Sequence, residues 1–443
     1  MKKANTLHYF KWSAIPVILL IFCCSPSLAA SQTEEVRPNI VLILTDDQGS
    51  VDMNCYGATD LITPNMDDLA THGVRFTQFY VAAPVCSPSR AAIMTGRYPQ
   101  RAQLDQNAWG SRGLPAAQLT IAEMLGQTGY KTAIFGKWHL GDDPSLSPIA
   151  QGFGEFLGHK VGCIDNYSHF FYWHGPNRHD LWHNDEEYFE EGTYFPDIIV
   201  REARRFLHEN KEKPFFLYLP FNMPHYPLQA ERKFDALYAD MKDPKRRRYA
   251  AFVSALDARI GEVIQTLDEL HLREKTIIIL LSDHGHSVEE RAFGGGGSAG
   301  PYRGHKFTLW EGGIRIPCIM SWPGKIPEGE IRSQIACSID LFPTIGRFCG
   351  AALPERRLDG KDISPVIMSG KSDSPHQILY WMKDKNWAVR KGRWKYVSQD
   401  EEKLLSDMER DVSETKSLAA EYPDIVKELT ELHMNWVKDV LIQ

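Results

Sequence analysis

Three short runs of the chain are apolar at nearly every position rather than at alternate ones: Pro38 to Leu44 (PNIVLIL), Pro214 to Leu219 (PFFLYL) and Thr276 to Leu281 (TIIILL). Tyr130 to Phe135 (YKTAIF) is a fourth, weaker example. Continuous apolar, β-branched runs of this length are how strands buried on both faces of a parallel sheet read. Between them the period changes. Phe252, Leu256, Ile260, Ile264, Leu267 and Leu270 recur at spacings of three and four, which lines one face of a long helix. Strands alternating with such helices predict an α/β sandwich built on a mostly parallel central sheet.

After about Pro343 the pattern shifts. Ile378 to Trp381, Trp387 to Val389 and Trp394 to Val397 are short strand-like pieces separated by Lys, Arg and Gly. They predict a small antiparallel meander, followed by a C-terminal helix from about Pro423 to Val440. The expected division is a catalytic domain over 36–345 and a C-terminal subdomain over 346–443. The glycine run Gly294 to Gly297 reads by composition as a mobile loop.

The N-terminus adds a compartment. Lys2 and Lys3 precede an apolar run from Ala14 to Cys24, and Ser27-Leu28-Ala29 supplies small residues where a signal peptidase reads. A signal peptide over 1–30 is expected, and its apolar run is too short for a membrane span. Bulky Phe22 speaks against lipid attachment at Cys23 or Cys24. The mature protein is therefore expected to be periplasmic or secreted, without a transmembrane segment. A net charge of -7 argues against a nucleic-acid partner, because neutralising phosphates takes a broad basic face. It leaves room for one local cationic pocket. Beyond the leader stand Cys55, Cys86, Cys163, Cys318, Cys337 and Cys349, irregularly spaced and without a Cys-x-x-Cys pair. Neither a zinc site nor a disulfide scaffold is indicated, although one or two disulfides suit that compartment.

Two of the apolar runs end in acids. The first continues into Thr45-Asp46-Asp47 and the last into Ser282-Asp283-His284-Gly285. Ligands of open α/β sheets bind at the carboxyl ends of the strands. Each pair alone reads equally well as a cap for the next turn. Together they favour a shared hard cation such as Ca2+ or Mg2+. A third piece is Cys86-Ser87-Pro88-Ser89-Arg90, continued by a helix-forming stretch to Thr95-Gly96-Arg97. Pro88 suits the first helical turn, which places Cys86 at a helix N-terminus that favours anions. Arg90, one turn on, can reach back to whatever Cys86 carries. A lone cysteine ordinarily reads as a packing residue; the flanking Ser, Pro, Ser and Arg make that the poorer reading here.

Cys-x-Pro-Ser-Arg followed by Thr-Gly-Arg is similar to the modification signature of the formylglycine-dependent sulfatases, the type I group of the alkaline-phosphatase-like superfamily. Asn39 to Asp47 (NIVLILTDD), Gly136 to Gly141 (GKWHLG), Pro224 to Pro227 (PHYP), Ser282 to Gly285 and Gly304 to Arg315 (GHKFTLWEGGIR) resemble that family's blocks, in its order. The resemblance runs over roughly residues 37 to 440 and implies a bacterial secreted member with the alkaline-phosphatase-like fold. It implies that Cys86 becomes formylglycine (3-oxoalanine), whose hydrate carries the nucleophilic hydroxyl. It makes Asp46, Asp47, Asp283 and His284 ligands of a calcium ion, with Mg2+ as the alternative, which also touches residue 86. It gives Arg90 and Lys137 to the hydrate, His139 to its second hydroxyl, and His225 and Lys306 to the sulfate and its leaving oxygen. By their own neighbourhoods Lys137 and His139 read as loop residues, His225 as a turn residue and Lys306 as surface. His284 is a departure, since many members carry Asn there and imidazole is a less typical calcium ligand than an amide oxygen.

The stretch from His159 to His183 is dense in rings, among them Tyr167, Phe170, Phe171, Tyr172, Trp173 and Trp182. It reads either as a pocket wall for a sugar or aryl ring or as packing of a long insertion, with His174 and His183 as the nominated substrate contacts. Lys242 to Arg248 (KDPKRRR) reads as the solvated start of a helix rather than as a grip for a polyanion. The implied partners are a sulfated carbohydrate or aryl sulfate and, during biosynthesis, a formylglycine-generating or anaerobic maturase enzyme. Galactosamine, galactose and glucosamine sulfates all remain open. Two rival functions are a phosphate or phosphonate ester hydrolase of the same superfamily and a non-catalytic glycan-binding protein.

Overall fold

Asn39–Thr45 (β1) is buried along its whole length, and its side chains divide by parity. Ile40, Leu42 and Leu44 enter one core while Val41 and Ile43 enter another, as the two-residue period of a strand requires. A strand covered on both faces has no position for a polar residue, which is why the run is continuously apolar. Residues 1, 3–13, 37–173 and 175–441 are described in this computed structural model. The described residues up to 13 form no regular structure, and the unit that starts at Arg37 carries the fold. The apolar run and cleavage point of the expected leader, Ala14 to Ala30, lie outside the described residues. No described helix is long and apolar enough to cross a membrane.

Seven long strands make the central sheet: β1, Val74–Tyr80 (β2), Lys131–Lys137 (β3), Glu155–His159 (β4), Phe215–Pro220 (β5), Thr276–Ser282 (β6) and Arg315–Ser321 (β7). Their spatial order is β2-β7-β6-β1-β5-β3-β4. The five from β6 to β4 are mutually parallel, whereas β7 runs antiparallel to both β6 and β2. Short pieces extend both edges: Glu330–Arg332 beside β2, and Trp182–His183 with Glu186–Glu187 beside β4.

Helices Pro64–Thr71 (α1), Cys86–Thr95 (α2), Ile121–Gly126 (α3), Phe195–Asn210 (α4), Pro244–Glu269 (α5) and Leu341–Cys349 (α6) cover the sheet, while Pro423–Leu441 (α7) packs on the smaller C-terminal sheet. Met66 of α1, Ile199 of α4 and Phe252, Leu256 and Ile260 of α5 pack with Val41 and Ile43. Ile93 of α2, Leu125 of α3 and Phe342 of α6 pack with Ile40 and Leu42 on the other side. Of the predicted stripe, Phe252, Leu256, Ile260 and Leu267 are buried on α5, Ile264 is partly buried and Leu270 is the residue after the helix; Asp243 caps the other end by accepting from Lys245 N. Lys245, Arg247 and Arg248 are exposed at its start, while Arg246 turns inward to buried Asp52 and to Asp60.

The predicted meander is a separate antiparallel sheet of Ile378–Lys383 (β8), Asn386–Lys391 (β9), Trp394–Gln399 (β10) and Glu402–Asp407 (β11). Trp381, Ala388, Val397 and Leu404 on one of its faces join the core that holds α2 and α6. Leu429 of α7 packs on the opposite face with Val389, Tyr396 and Leu405. The fold is thus the expected mixed α/β sandwich with a small antiparallel C-terminal sheet.

One expectation changes, and one question left open is answered. The glycine run is a tightly packed turn: a Cβ on Gly295 would stand 2.1 Å from Ser287 O, and one on Gly297 would stand 2.4 Å from His286 Cβ. Only glycine fits where backbone passes that close. Cys55, Cys86, Cys163, Cys318, Cys337 and Cys349 are all free thiols, so none of the disulfides that the compartment allows forms here. A reductant such as dithiothreitol is therefore expected to leave the thermal unfolding midpoint unchanged. A fall of several degrees would reveal a bridge.

Candidate active site

In the β1–β6 pairing Thr45 stands opposite Ser282, so the next residues, Asp46 and Asp283, leave the sheet at one level. Asp283 N donates to Thr45 O at 3.0 Å, and Asp46 N donates to Met223 O at 2.9 Å, which ties in the loop after β5. β3 ends on Lys137 at the same edge. The antiparallel strands serve it too. Arg315, the first residue of β7, pairs with Tyr80, the last of β2. The loop carrying Lys306 and the segment entering α2 therefore return to the edge where the parallel strands end.

Cys86 is the first residue of α2, and its Sγ lies 3.2 Å from His284 Nε2. Arg90, one turn later, sends Nε and Nη2 to Asp283 Oδ2 at 3.2 and 3.0 Å and Nη1 to the carbonyl of Lys137 at 3.0 Å. Lys137 Nζ donates to Asp46 Oδ2 at 2.6 Å. Lys306 Nζ donates to Asp47 Oδ2 at 3.0 Å. Asp47 is left-handed (φ 65°), which turns its N–H onto Asp283 Oδ1 at 3.2 Å. Three acids and three cations are thereby buried together.

His284 Nδ1 donates to Gly285 O at 3.0 Å, a bond that leaves Nε2 facing Cys86 and Asp283. The Nδ1 of His225 is likewise committed, to Tyr226 O at 2.7 Å, and its Nε2 faces Asp47 Oδ2 at 3.8 Å. Ligand atoms of Asp46, Cys86, Asp283 and His284 all fall within 4.8 Å of one another, and so do those of Asp46, Asp47, Cys86 and His225. Asp46 Oδ1 is buried without a hydrogen-bond partner. Buried polar atoms are rarely left so, and a carboxylate-rich set with one such oxygen fits a hard divalent cation.

Burial opposes ionisation of Asp46, but Lys137, His225, Arg90 and Lys306 outweigh it and hold its carboxyl well below the usual range. At Asp47 burial wins over Lys306 and pushes the carboxyl up to about 6. Burial, reinforced by Lys137 and Arg90, drives His139 well below an ordinary imidazole, so it stays neutral at pH 7. Burial also depresses His225, against the pull of Asp46. His284 goes the other way: burial lowers it, yet Asp283 and Cys86 raise it to about 9. Lys306 is raised well above its ordinary value, since Asp47, Cys86 and Glu289 outweigh burial.

A cavity of about 190 Å³ opens over this cluster and is lined by Cys86, His139, His225 and Lys306. Every residue nominated for the metal or the chemistry thus stands in the cluster or on the cavity. The nominated substrate contacts do not join them. His183 is exposed on the outer edge of the sheet, paired across from Leu157, and is not among the lining residues. Its strand pairing directs it along the edge, not toward the strand ends. His174 lies outside the described residues. The aromatic insertion divides: Phe171 lines the cavity, whereas Trp173 packs edge-on against Tyr226 with ring centroids 5.5 Å apart. Trp109, Tyr226 and Arg291 also line the wall; Tyr226 lies in the Pro224 to Pro227 block, whereas nothing in the sequence neighbourhoods of Trp109 and Arg291 marks them.

A buried acid cluster, a helix-start cysteine and cations around one cavity define, on this fold, an ester hydrolase site for a tetrahedral anion. The comparisons are specific. The family profile described as sulfatase matches residues 38–351, and that of the C-terminal region of N-sulphoglucosamine sulphohydrolase matches residues 304–438. N-acetylgalactosamine-6-sulfatase of Canis lupus familiaris is 34% identical over 407 residues, spanning 85% of this chain and 74% of its own. Arylsulfatase A of Homo sapiens is 34% identical over 439 residues, spanning 91% and 84%. The crystal structure of Ps i-CgsB in complex with k-i-k-neocarrahexaose superposes with TM-score 0.83 at 32% identity, over 90% of this chain and 92% of that one. The chain belongs to the sulfatase family and is a sulfuric ester hydrolase.

Removing Arg90 leaves buried Asp283 without its two-point partner. Arg90→Ala is expected to cost about 3–5 kcal/mol of stability, the usual penalty for breaking a buried ion pair. Arg90→Lys should recover only part, because one ammonium cannot span both Asp283 and the Lys137 carbonyl. Urea denaturation of both variants checks this.

Proposed function

We propose that this chain is a secreted sulfatase that hydrolyses sulfate monoesters of a sulfated carbohydrate, using formylglycine made from Cys86 and a calcium ion. The observation that carries the reading is the place of Cys86: at the start of α2, at the floor of the cavity, within ligand distance of Asp46, Asp283 and His284. The relatives named for N-acetylgalactosamine 6-sulfate and the neighbour solved with a neocarrahexaose support a carbohydrate substrate. Aryl sulfates would serve as artificial ones.

Asp46, Asp47, Asp283 and His284 would hold calcium, with Mg2+ as the alternative, and the ion would supply Lewis-acid polarisation of a sulfate oxygen. Formylglycine at residue 86 would supply two hydroxyls on one carbon when hydrated, which no unmodified side chain offers. Arg90 and Lys137 steady that position, each anchored by a buried acid. His139, kept neutral by burial, is suited to take a proton from a hydroxyl at residue 86. Lys306 stays charged beside the cavity, and with His225 it faces the oxygen that leaves the sulfur. An intact set of this kind disfavours a purely glycan-binding role.

The leader over 1–30, export to the periplasm or medium and maturation by a formylglycine-generating or anaerobic enzyme belong to the same proposal. So does the division into a catalytic domain over 36–345 and a C-terminal subdomain over 346–443. For the wall of the substrate pocket, support goes to Trp109 and Phe171 rather than to His183.

Mass spectrometry of the tryptic peptide Phe76 to Arg90, from protein made in its native host, is expected to show an aldehyde oxygen in place of the Cys86 sulfur. A thiol in every copy would sink the mechanism. Cys86→Ala should lower sulfate release from 4-nitrophenyl sulfate by at least ~10³-fold, the scale of a lost nucleophile. Faster phosphate than sulfate release from matched aryl esters would favour the rival hydrolase. In calorimetry, Asp283→Asn should weaken calcium binding by more than the roughly 10–100-fold that outer-shell changes cause. Equal affinity in both proteins would remove Asp283 from the metal site.

A further inference from the structure

The cations at the cavity floor are each matched to an acid of the cluster: Arg90 to Asp283, Lys137 to Asp46 and Lys306 to Asp47. Arg291 lines the same cavity but stands outside that set. Its guanidinium lies over the Tyr226 ring, 5.1 Å from the centroid, and Tyr226 in turn packs on His225 with centroids 4.0 Å apart. Nε and Nη2 donate to a single oxygen, Glu289 Oε1, at 2.9 and 2.6 Å. The other oxygen, Oε2, lies 3.4 Å from Lys306 Nζ. One carboxylate therefore spans the two cations, which fixes Arg291 one carboxylate's breadth from the lysine facing the reacting sulfate.

An Arg–Glu pair open to water on the arginine side is only modestly stable, and Arg291 and Glu289 are 46% and 17% exposed. An arriving anion can compete with it and gain a planar, two-point contact on a guanidinium already held over a ring. A cavity of about 190 Å³ suits a single sugar ring better than a bare sulfate. Trp109, held on the cavity wall by Phe171 and by the Arg178 guanidinium over its ring, bounds the space that such a ring would fill.

We propose that Arg291 is a specificity residue that binds a second anionic group, a sulfate or carboxylate, on or next to the sugar whose sulfate is removed. This rests on the carbohydrate reading above and narrows it. The preferred substrate is a saccharide with two negative charges a ring apart, and a neutral neighbourhood around the reacting sulfate is disfavoured.

The test follows sulfate release from two matched pairs. One is N-acetylgalactosamine 6-sulfate against its 4,6-disulfate; the other is a neocarratetraose with one against two sulfates per repeat. The unmodified sequence is expected to favour the doubly charged member of the pair it hydrolyses. Arg291→Gln should lower that preference, taken as a ratio of kcat/KM, roughly tenfold and through KM. Arg291→Lys, which keeps the charge but not the plane, should retain part of it. Thermal unfolding of each variant separates misfolding from lost recognition, and an exposed position predicts unchanged midpoints. An unchanged ratio in Arg291→Gln overturns the role of Arg291 while the carbohydrate reading stands. Hydrolysis of 4-nitrophenyl sulfate but of neither saccharide pair, nor of glucosamine 6-sulfate, overturns the carbohydrate reading, and the second-anion site with it.

Discussion

Asp46, Asp47 and Asp283 are buried side by side, and the repulsion among their charges is the constraint that the surrounding structure has to meet. Away from bulk water such charges are tolerated only with partners and hydrogen bonds at good geometry. The partners come from three different places: Arg90 from α2, Lys137 from the end of β3 and Lys306 from the loop before β7. Asp283 is the hub. It accepts both the Arg90 fork and the Asp47 N–H, and its carbonyl accepts Ser89 Oγ at 2.6 Å. Displacing any one of these elements would leave a buried charge alone.

The sheet meets this constraint through register and direction. Parallel strands bring their carboxyl ends to one edge, and matched register sets Asp46 and Asp283 level. β7 and β2, which run antiparallel to each other, deliver Lys306 and Cys86 there. The C-terminal sheet steadies both deliveries. Lys395 of β10 is fully buried and donates to Glu311 at 2.9 Å, and it also pairs with Glu414 at 2.8 Å. Glu311 follows Lys306 by five residues and accepts Tyr80 O–H, from the end of β2, at 2.7 Å. The small sheet is thus coupled by buried charge to the two segments that bring a lysine and the cysteine to the site.

The same burial sorts the basic groups by task. Lys306 and Lys137 stay cationic because acids beside them outweigh desolvation. His139, which burial depresses and Lys137 and Arg90 depress further, is left neutral. Cationic and neutral basic groups are thus separated within one cavity by which neighbours each side chain meets.

Local pattern carried much of this. A strand covered on both faces must be apolar throughout, so β1, β5 and β6 were legible as buried strands, and the acids after β1 and β6 were legible as a pair at one edge. Proline and small residues around Cys86 marked a helix start. Lys137, His139, His225 and Lys306 were legible only through the family resemblance, because a polar residue in a loop looks the same whether it faces solvent or a cavity. The glycine run read as flexible since composition cannot show the Ser287 backbone that passes beside it. His183 and Arg291 reversed places for a related reason: a two-residue edge strand carries one away from the strand ends, and a tyrosine ring and a carboxylate hold the other on the cavity. The sequence by itself determined which segments are buried and which residue types wait at their ends, because burial periodicity and helix starts are local properties. Only the tertiary structure decided which of those ends meet, since register, strand direction and the pairing of buried charges join residues more than 190 positions apart.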